Sequence, residues 1–266
     1  TVSKVAPAAK EFVLAGGSKR GWTAWLAAAG DTRVKAVIPA VIDMLNFVQN
    51  VEHHYRAYGF FSPAVADFEE FHLITNASKP ENRKLIAIED PWTYRARLKM
   101  PKYIINAAGD MFFPPDSSRF YYGKLPGETN LRYVPNVDHN LNGSDALAGI
   151  GAFFARVVAG TPAPRWQWRF RGQDAIEVTA ADRPTTVLVW RAVNPEARDF
   201  RVRFTKARFQ SEELKPDAKG RYTARMARPE KGFGAFFVEL NYAGWKVTSG
   251  VRIVPDVLPF SKPTPK

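Results

Sequence analysis

The chain contains no cysteine, only four histidines and four methionines, and no run of 18 or more apolar residues. Without cysteine there is neither a disulfide framework nor a thiolate-ligated metal, so stability must come from packing. Without a long apolar run, no membrane-spanning helix is expected. The opening Thr1-Val2-Ser3-Lys4-Val5-Ala6-Pro7 has no basic cluster and no apolar segment of signal-peptide length, so no export signal is visible. Nucleic-acid-binding motifs, repeats and low-complexity tracts are also missing. What is present is core-forming material: 45% of the 266 residues are hydrophobic and 13% aromatic, enough for two units.

Charge is unevenly placed. The net +12 divides into 18 Lys/Arg against 15 Asp/Glu through residue 164 and 20 against 11 beyond it. The basic second part can attract an acidic polymer or an anionic surface. Interleaved as these charges are with apolar residues, they equally fit solvated strand faces, and specific nucleic-acid binding is not expected.

Up to residue 160, strands and helices alternate. Phe12–Ala15, Val34–Val41, Lys102–Ala108 and Leu131–Val134 read as short buried strands bounded by turn residues, and Ala24–Gly30, Ser117–Lys124 and Ala146–Val158 as helices. That alternation predicts a mostly parallel sheet with helices on its faces. An insertion at about 44–98, rich in Phe, Tyr and Trp, suits a helical cap over a site, and equally an ordinary helical packing layer. Thr161-Pro162-Ala163-Pro164 reads as a stiff linker. Beyond it, Arg165–Phe170, Ala175–Thr179, Thr186–Trp190, Phe200–Phe204 and Phe233–Tyr242 alternate apolar and polar residues between turn signals, which predicts a small antiparallel β-sandwich over 165–266.

One segment carries chemistry. Glu11-Phe12-Val13-Leu14-Ala15 runs into Gly16-Gly17-Ser18-Lys19-Arg20-Gly21 and then into an Ala-rich helix. Strand, glycines, serine and helix together form the plan of a nucleophile elbow, where a strained turn lifts the serine hydroxyl above a sheet. Arg20 stands where such elbows usually have a small residue, and the glycine comes one place later. The spacing is not that of a P-loop.

A serine needs a base, and the base needs an acid to orient it. His53, His54 and His72 fall in the insertion, whereas His139 follows a strand in a loop before a helix, where this fold presents its base. Asp110 directly follows the strand Lys102–Ala108 and is the candidate acid. Asp116 is placed to cap the helix at Ser117, and Asp138 adjoins the histidine too closely to reach its ring easily. Ser18, Asp110 and His139 occur in the order that α/β-hydrolases use. The Lys19 backbone N–H is the candidate oxyanion donor; the side chains of Lys19 and Arg20 would add positive charge if they faced the site, but are expected to point to solvent or bind helix and sheet neighbours. No cofactor or metal is implied.

Gly16–Thr23 resembles the elbow of the PhoPQ-activated pathogenicity-related protein family. The resemblance continues through Tyr55–Gly59, Gly109–Phe113, Pro115–Tyr122, Leu125–Glu128, Leu131–Asn136, Asp138-His139, Asn194–Phe200, Ala235–Leu240 and Val254–Asp256. A related Gly-x-Ser-Arg-x-Gly occurs in glucuronoyl esterases. The resemblance implies an α/β-hydrolase-like fold over 1–160 with the cap inserted, a sandwich-like tail, and a triad at Ser18, Asp110 and His139. It further implies a periplasmic or secreted protein whose substrate is poorly defined, and a longer parent chain whose N-terminal part would supply the missing strands and the second oxyanion donor. The triad itself suits a small-molecule or polymer-linked carboxylic ester, and less readily an amide. Some relatives are described as growth repressors, which leaves a non-catalytic signalling or polyanion-binding role as the alternative.

Overall fold

The computed structural model describes residues 2–263. After one helical turn, α1 (Val2–Val5), four strands form a parallel sheet in sequence order: β1 (Phe12–Gly17), β2 (Val34–Ala40), β3 (Lys102–Ala107) and β4 (Thr129–Val134). β3 is buried along its whole length, as a central parallel strand covered on both faces must be. Its Lys102 is the exception in composition. The ammonium donates to the carbonyls of Leu98 (2.8 Å), Met100 (2.8 Å) and Pro126 (2.6 Å), and burial lowers its pKa to about 8.

Helix α2 (Lys19–Gly30) returns the chain from β1 to β2, burying Gly21, Ala24, Trp25 and Ala28 on one face. That i, i+3, i+4, i+7 spacing is why an otherwise Ala-rich segment packs with one side only. Helix α6 (Ala146–Val158) follows β4. Between β2 and β3 the insertion folds as helices α3 (Phe47–Tyr58), α4 (Ala66–Glu70) and α5 (Pro80–Glu89), with 3-10 turns at Pro63–Val65 and Pro91–Arg97. Phe47, Val51, Phe61, Ile74 and Ala77 give this cap a small core of its own.

The remainder is two antiparallel sheets. One contains β5 (Trp166–Arg171), β6 (Ala175–Ala180) and β9 (Arg221–Arg225). The other contains β7 (Thr186–Asn194), β8 (Gln210–Glu213), β10 (Phe233–Tyr242), β11 (Trp245–Thr248) and β12 (Arg252–Val254). Thr161–Pro164 runs between α6 and β5 without secondary structure. The architecture is thus an α/β-hydrolase-like parallel sheet with a helical cap, followed by an antiparallel β-sandwich-like module.

Two expected elements differ. Ser117–Lys124 is not one helix but two 3-10 turns, Ser117–Phe120 and Tyr122–Lys124. Phe200–Phe204 alternates like a strand yet lies in a loop. Arg201 there is buried with its guanidinium on Asp199 (2.6 Å) and over the rings of Tyr58, Phe60 and Phe204, and Phe204 N–H turns back to the Arg201 carbonyl (3.0 Å). A charge caged by aromatic rings replaces strand pairing.

The two parts share apolar contacts. Ala36, Ile38, Tyr103, Ile105 and Phe153 of the first lie in one cluster with Ile176, Val189, Phe236 and Trp245 of the second. Tyr103 also donates its hydroxyl to the Lys246 carbonyl (2.6 Å), and the Tyr133 N–H donates to Thr248 Oγ1 (2.9 Å).

Candidate active site

Ser18 sits between the end of β1 and the first residue of α2 with φ 54° and ψ −128°. This backbone lies outside the regions open to an L-residue with a side chain and costs on the order of 1–3 kcal/mol. It is held by its neighbours: the Ser18 N–H donates to the Ala40 carbonyl (2.9 Å), and its own carbonyl accepts from the Trp22 N–H (3.1 Å). The Ser18 side chain makes no capping bond to the helix, so the hydroxyl is not spent on structure.

The glycines explain the unusual elbow. A Cβ at Gly16 would lie 2.4 Å from the Arg20 carbonyl oxygen. One at Gly21 would lie 2.8 Å from the Gly16 oxygen and 2.9 Å from Ile42 Cγ2. The closest approach of strand and helix therefore falls at Gly21, one residue later than usual, while Arg20 is exposed and needs no small side chain. Because α2 begins at Lys19, its first amide has no intrahelical acceptor and points toward the serine end of the helix.

Asp110 follows β3 and His139 follows β4, at the same rim of the sheet as Ser18. His139 Nδ1 lies 2.9 Å from Asp110 Oδ2 and 3.1 Å from Oδ1. Asp110 Oδ1 also accepts from the Phe112 N–H (2.7 Å). Burial pushes the Asp110 carboxyl above the usual carboxylate range, and the bond to His139 offsets part of that. The Phe112 ring packs on the imidazole with centroids 4.2 Å apart, and Phe113 lies behind it. His139 Nε2 is buried and has no hydrogen-bond partner. The structure thus joins Asp110 to His139; no hydrogen bond runs from Ser18 to Nε2.

The competing carboxylates are engaged elsewhere. Asp138 Oδ1 accepts from its neighbours' N–H groups, Met111 (3.0 Å) and His139 (2.7 Å), and Oδ2 accepts from Arg203 Nε. Asp116 caps no helix. It is buried against His53 Nε2 (2.9 Å), Arg198 (2.7 Å) and Arg119 (3.0 Å). Burial alone would raise it, but Arg198 and then His53 hold it well below the usual carboxylate value. A third carboxyl, Asp43 beyond β2, is raised to about 8 by burial despite accepting from the hydroxyls of Tyr121 and Tyr133.

Ser18 opens on a cavity of about 80 Å³ whose far wall is the cap, through Val51, Phe61, Phe68 and Ile74, and whose near wall includes Phe112 and Phe113. His54 faces the same space. Its Nε2 accepts from the Ser62 N–H (3.0 Å), and burial, followed by the Arg201 charge, lowers its pKa to about 3, so it is neutral. Lys19 is exposed and also lines this cavity. A larger cleft of about 1320 Å³ beside Trp166 and Trp168 touches none of Ser18, Asp110 or His139.

Residues that the sequence did not single out surround the site. Arg198, Arg201, Val202 and Arg203, all in the loop between β7 and β8, reach the Asp110 and His139 loops or the cap. In the sequence Arg198 fell in the motif Asn194–Phe200 and the other three in the expected strand Phe200–Phe204; nothing in either pattern said that the segment folds back over the first sheet. Many basic residues of the second part are ion-paired, among them Arg165 with Asp182, Arg191 with Glu212 and Arg221 with Asp217. Among the described residues, no three His, Asp or Glu side chains converge as a metal site requires, and no helix is long and apolar enough to cross a membrane.

A model of the family described as PhoPQ-activated pathogenicity-related protein matches residues 2–201. Autocrine proliferation repressor protein A of Dictyostelium discoideum is 35% identical over 283 aligned positions, covering 94% of this chain and 57% of that protein. The chain therefore spans little more than half the length of this curated relative. Among solved structures, the acetyl xylan esterase from Paenibacillus sp. R4 aligns at a TM-score of 0.42 with 23% identity, over 57% of this chain and 46% of that one. An acylaminoacyl peptidase of Pyrococcus horikoshii aligns at 0.45 with 19% identity, over 58% and 26%.

Proposed function

The chain belongs to the PhoPQ-activated pathogenicity-related protein family, and from that premise we propose that it is a serine hydrolase cleaving a carboxylic ester. The observation that carries the reading is the backbone of Ser18, strained at φ 54° in a turn that two glycines permit, with a half-buried His139 paired to a buried Asp110 at neighbouring strand ends. Strain of this kind persists where the surroundings over-determine it, and here they expose a hydroxyl.

In this mechanism His139 Nε2 takes the Ser18 proton as Oγ bonds to the ester carbonyl carbon. Asp110 holds Nδ1–H and stabilises the imidazolium. The Lys19 N–H, at the start of α2, donates to the developing oxyanion. Collapse breaks the C–O bond, and His139 returns its proton to the leaving alcohol. Water, activated by the same imidazole, then frees the acid. On this reading the bond from Ser18 to His139 Nε2 forms when substrate is bound, as catalytic hydrogen bonds often tighten only in the complex. Family membership supports a periplasmic or secreted location for the working protein.

A second reading has one observation in its favour: the curated relative at 35% identity bears the name of a proliferation repressor. On that reading the scaffold signals without chemistry. A fluorophosphonate probe separates the two. Covalent labelling at Ser18, lost in His139→Ala and reduced by a factor on the order of 10⁴ in Asp110→Asn, is expected. Absence of labelling in the wild-type protein, with the fold intact by circular dichroism, would favour the signalling role.

A further inference from the structure

A second cavity adjoins the small one at Ser18, and the chemistry above leaves it unused. It encloses about 470 Å³ between α2 and the cap, and its apolar walls are Trp22, Phe47, Phe68, Leu73, Leu85 and Ile86. It shares Lys19, Ile42, Met44 and Phe68 with the small cavity at Ser18, so those four side chains are the partition between the two spaces. Lys19 and Met44 are unbranched and can swing aside without moving backbone.

We propose that this cavity receives the apolar group of the ester, an acyl chain of medium length, and so sets the substrate class; the proposal rests on Ser18 being the nucleophile. Size supports it. A space of 470 Å³ lies within the range of small-molecule sites, roughly 300–1,000 Å³, whereas the 80 Å³ at Ser18 holds only a few water-sized spheres. The polar groups at the rim argue against a sugar. Asp90 already accepts from the N–H groups of Phe47 (2.7 Å) and Trp92 (3.0 Å). The Glu89 carbonyl accepts from Trp22 Nε1 (2.6 Å), and the Asn82 amide donates to the His72 (3.2 Å) and Asn76 (3.1 Å) carbonyls. With those groups engaged, the cavity offers a ligand mainly apolar surface. Lys19, at the junction, stands near the carboxyl end of such a chain.

The test compares acetyl and octanoyl p-nitrophenyl esters on the full chain. The octanoyl ester should have kcat/KM higher by on the order of tenfold or more. Leu85→Asp places a charge at the rim and should lower the octanoyl-to-acetyl ratio at least tenfold, and Leu73→Trp should shorten the preferred chain. Calorimetric titration of octanoic acid into Ser18→Ala protein reads binding without turnover; binding is expected, and Leu85→Asp should weaken it. An acetyl ester cleaved as fast as the octanoyl ester, or a ratio untouched by both variants, overturns the assignment while leaving Ser18 chemistry standing. If neither ester is cleaved and no fluorophosphonate label appears, the hydrolase reading fails; octanoate binding sensitive to Leu85→Asp would still support an apolar ligand in this cavity, and its absence would overturn that too.

Discussion

Gly21 determines how closely β1 and α2 approach, and the backbone of Ser18 depends on that approach. An added methyl there meets the Gly16 carbonyl oxygen at 2.8 Å and Ile42 Cγ2 at 2.9 Å, and the first of these is backbone that cannot rotate away. Gly21→Ala should therefore destabilise the protein by about 1–3 kcal/mol and suppress labelling of Ser18. Gly17→Ala is the control, because the nearest atom to its Cβ would be Val41 Cγ2 at an ordinary 3.9 Å. Thermal denaturation of the two variants checks this: a fall of several degrees for Gly21→Ala and almost none for Gly17→Ala is expected. Equal effects would mean that the strand–helix contact is not what holds the serine. The sequence placed Gly17 before the serine and Gly21 three residues after it; only the approach of α2 to β1 shows that Gly21 packs tightly and Gly17 does not.

One side chain of α3 ties the cap to the loop beyond β3. His53 reaches Asp116 at 2.9 Å, and Asp116 also receives Arg198 at 2.7 Å, with all three side chains almost fully buried. Removing one partner of a buried pair leaves the other charged and dry, so Asp116→Asn should cost about 3–5 kcal/mol near neutral pH. The sign of its pH dependence follows from the Asp116 pKa, which lies well below the ordinary 3.8 in the folded protein. The unfolded chain takes up the proton first on acidification. The contribution is therefore whole above about pH 4 and is lost as pH falls through the folded value. Urea denaturation of wild type and Asp116→Asn should show a wide gap at pH 7 that narrows toward acid; a gap independent of pH would mean that packing, not charge, is what the variant loses. At this scale the sequence was informative where one pattern dominated. Strands β1 to β4, helix α2 and the helical cap follow from apolar runs and turn residues. The strands β8, β9, β11 and β12 were missed because three to five residues carry too little periodicity. Phe200–Phe204 misled because alternation does not distinguish a paired strand from an arginine enclosed by rings.

Over the whole molecule, the β7–β8 loop of the second part braces the Asp110 and His139 loops of the first. The Val202 N–H donates to the Gly109 carbonyl (3.0 Å), and Val202 Cγ1 lies so near Gly109 that a Cβ there would be 2.3 Å away. The Asn136 amide and carbonyl exchange two hydrogen bonds with the Phe209 backbone, at 2.8 and 2.7 Å. Arg201 donates to Ser62 Oγ (2.9 Å), which donates to the Met111 carbonyl (2.7 Å). That Asp110 and His139 lie at one rim of the sheet was legible because each follows a strand, but this brace was not, since it joins positions some 60 to 140 apart in sequence. Its exposed member gives a test that folding does not confound. Arg203 bonds Asp138 Oδ2, and Asp138 Oδ1 holds the Met111 and His139 N–H groups together, so the guanidinium acts on the His139–Asp110 geometry through Asp138. With 57% of its side chain exposed, Arg203→Ala should leave Tm nearly unchanged. Losing the brace should lower kcat by about tenfold or more with KM unaltered, because small misplacements of a base are costly. Arg203→Lys should recover part of the rate by restoring a donor. If kcat and the rate of fluorophosphonate labelling match wild type in Arg203→Ala, the second part stabilises the sheet without positioning the base.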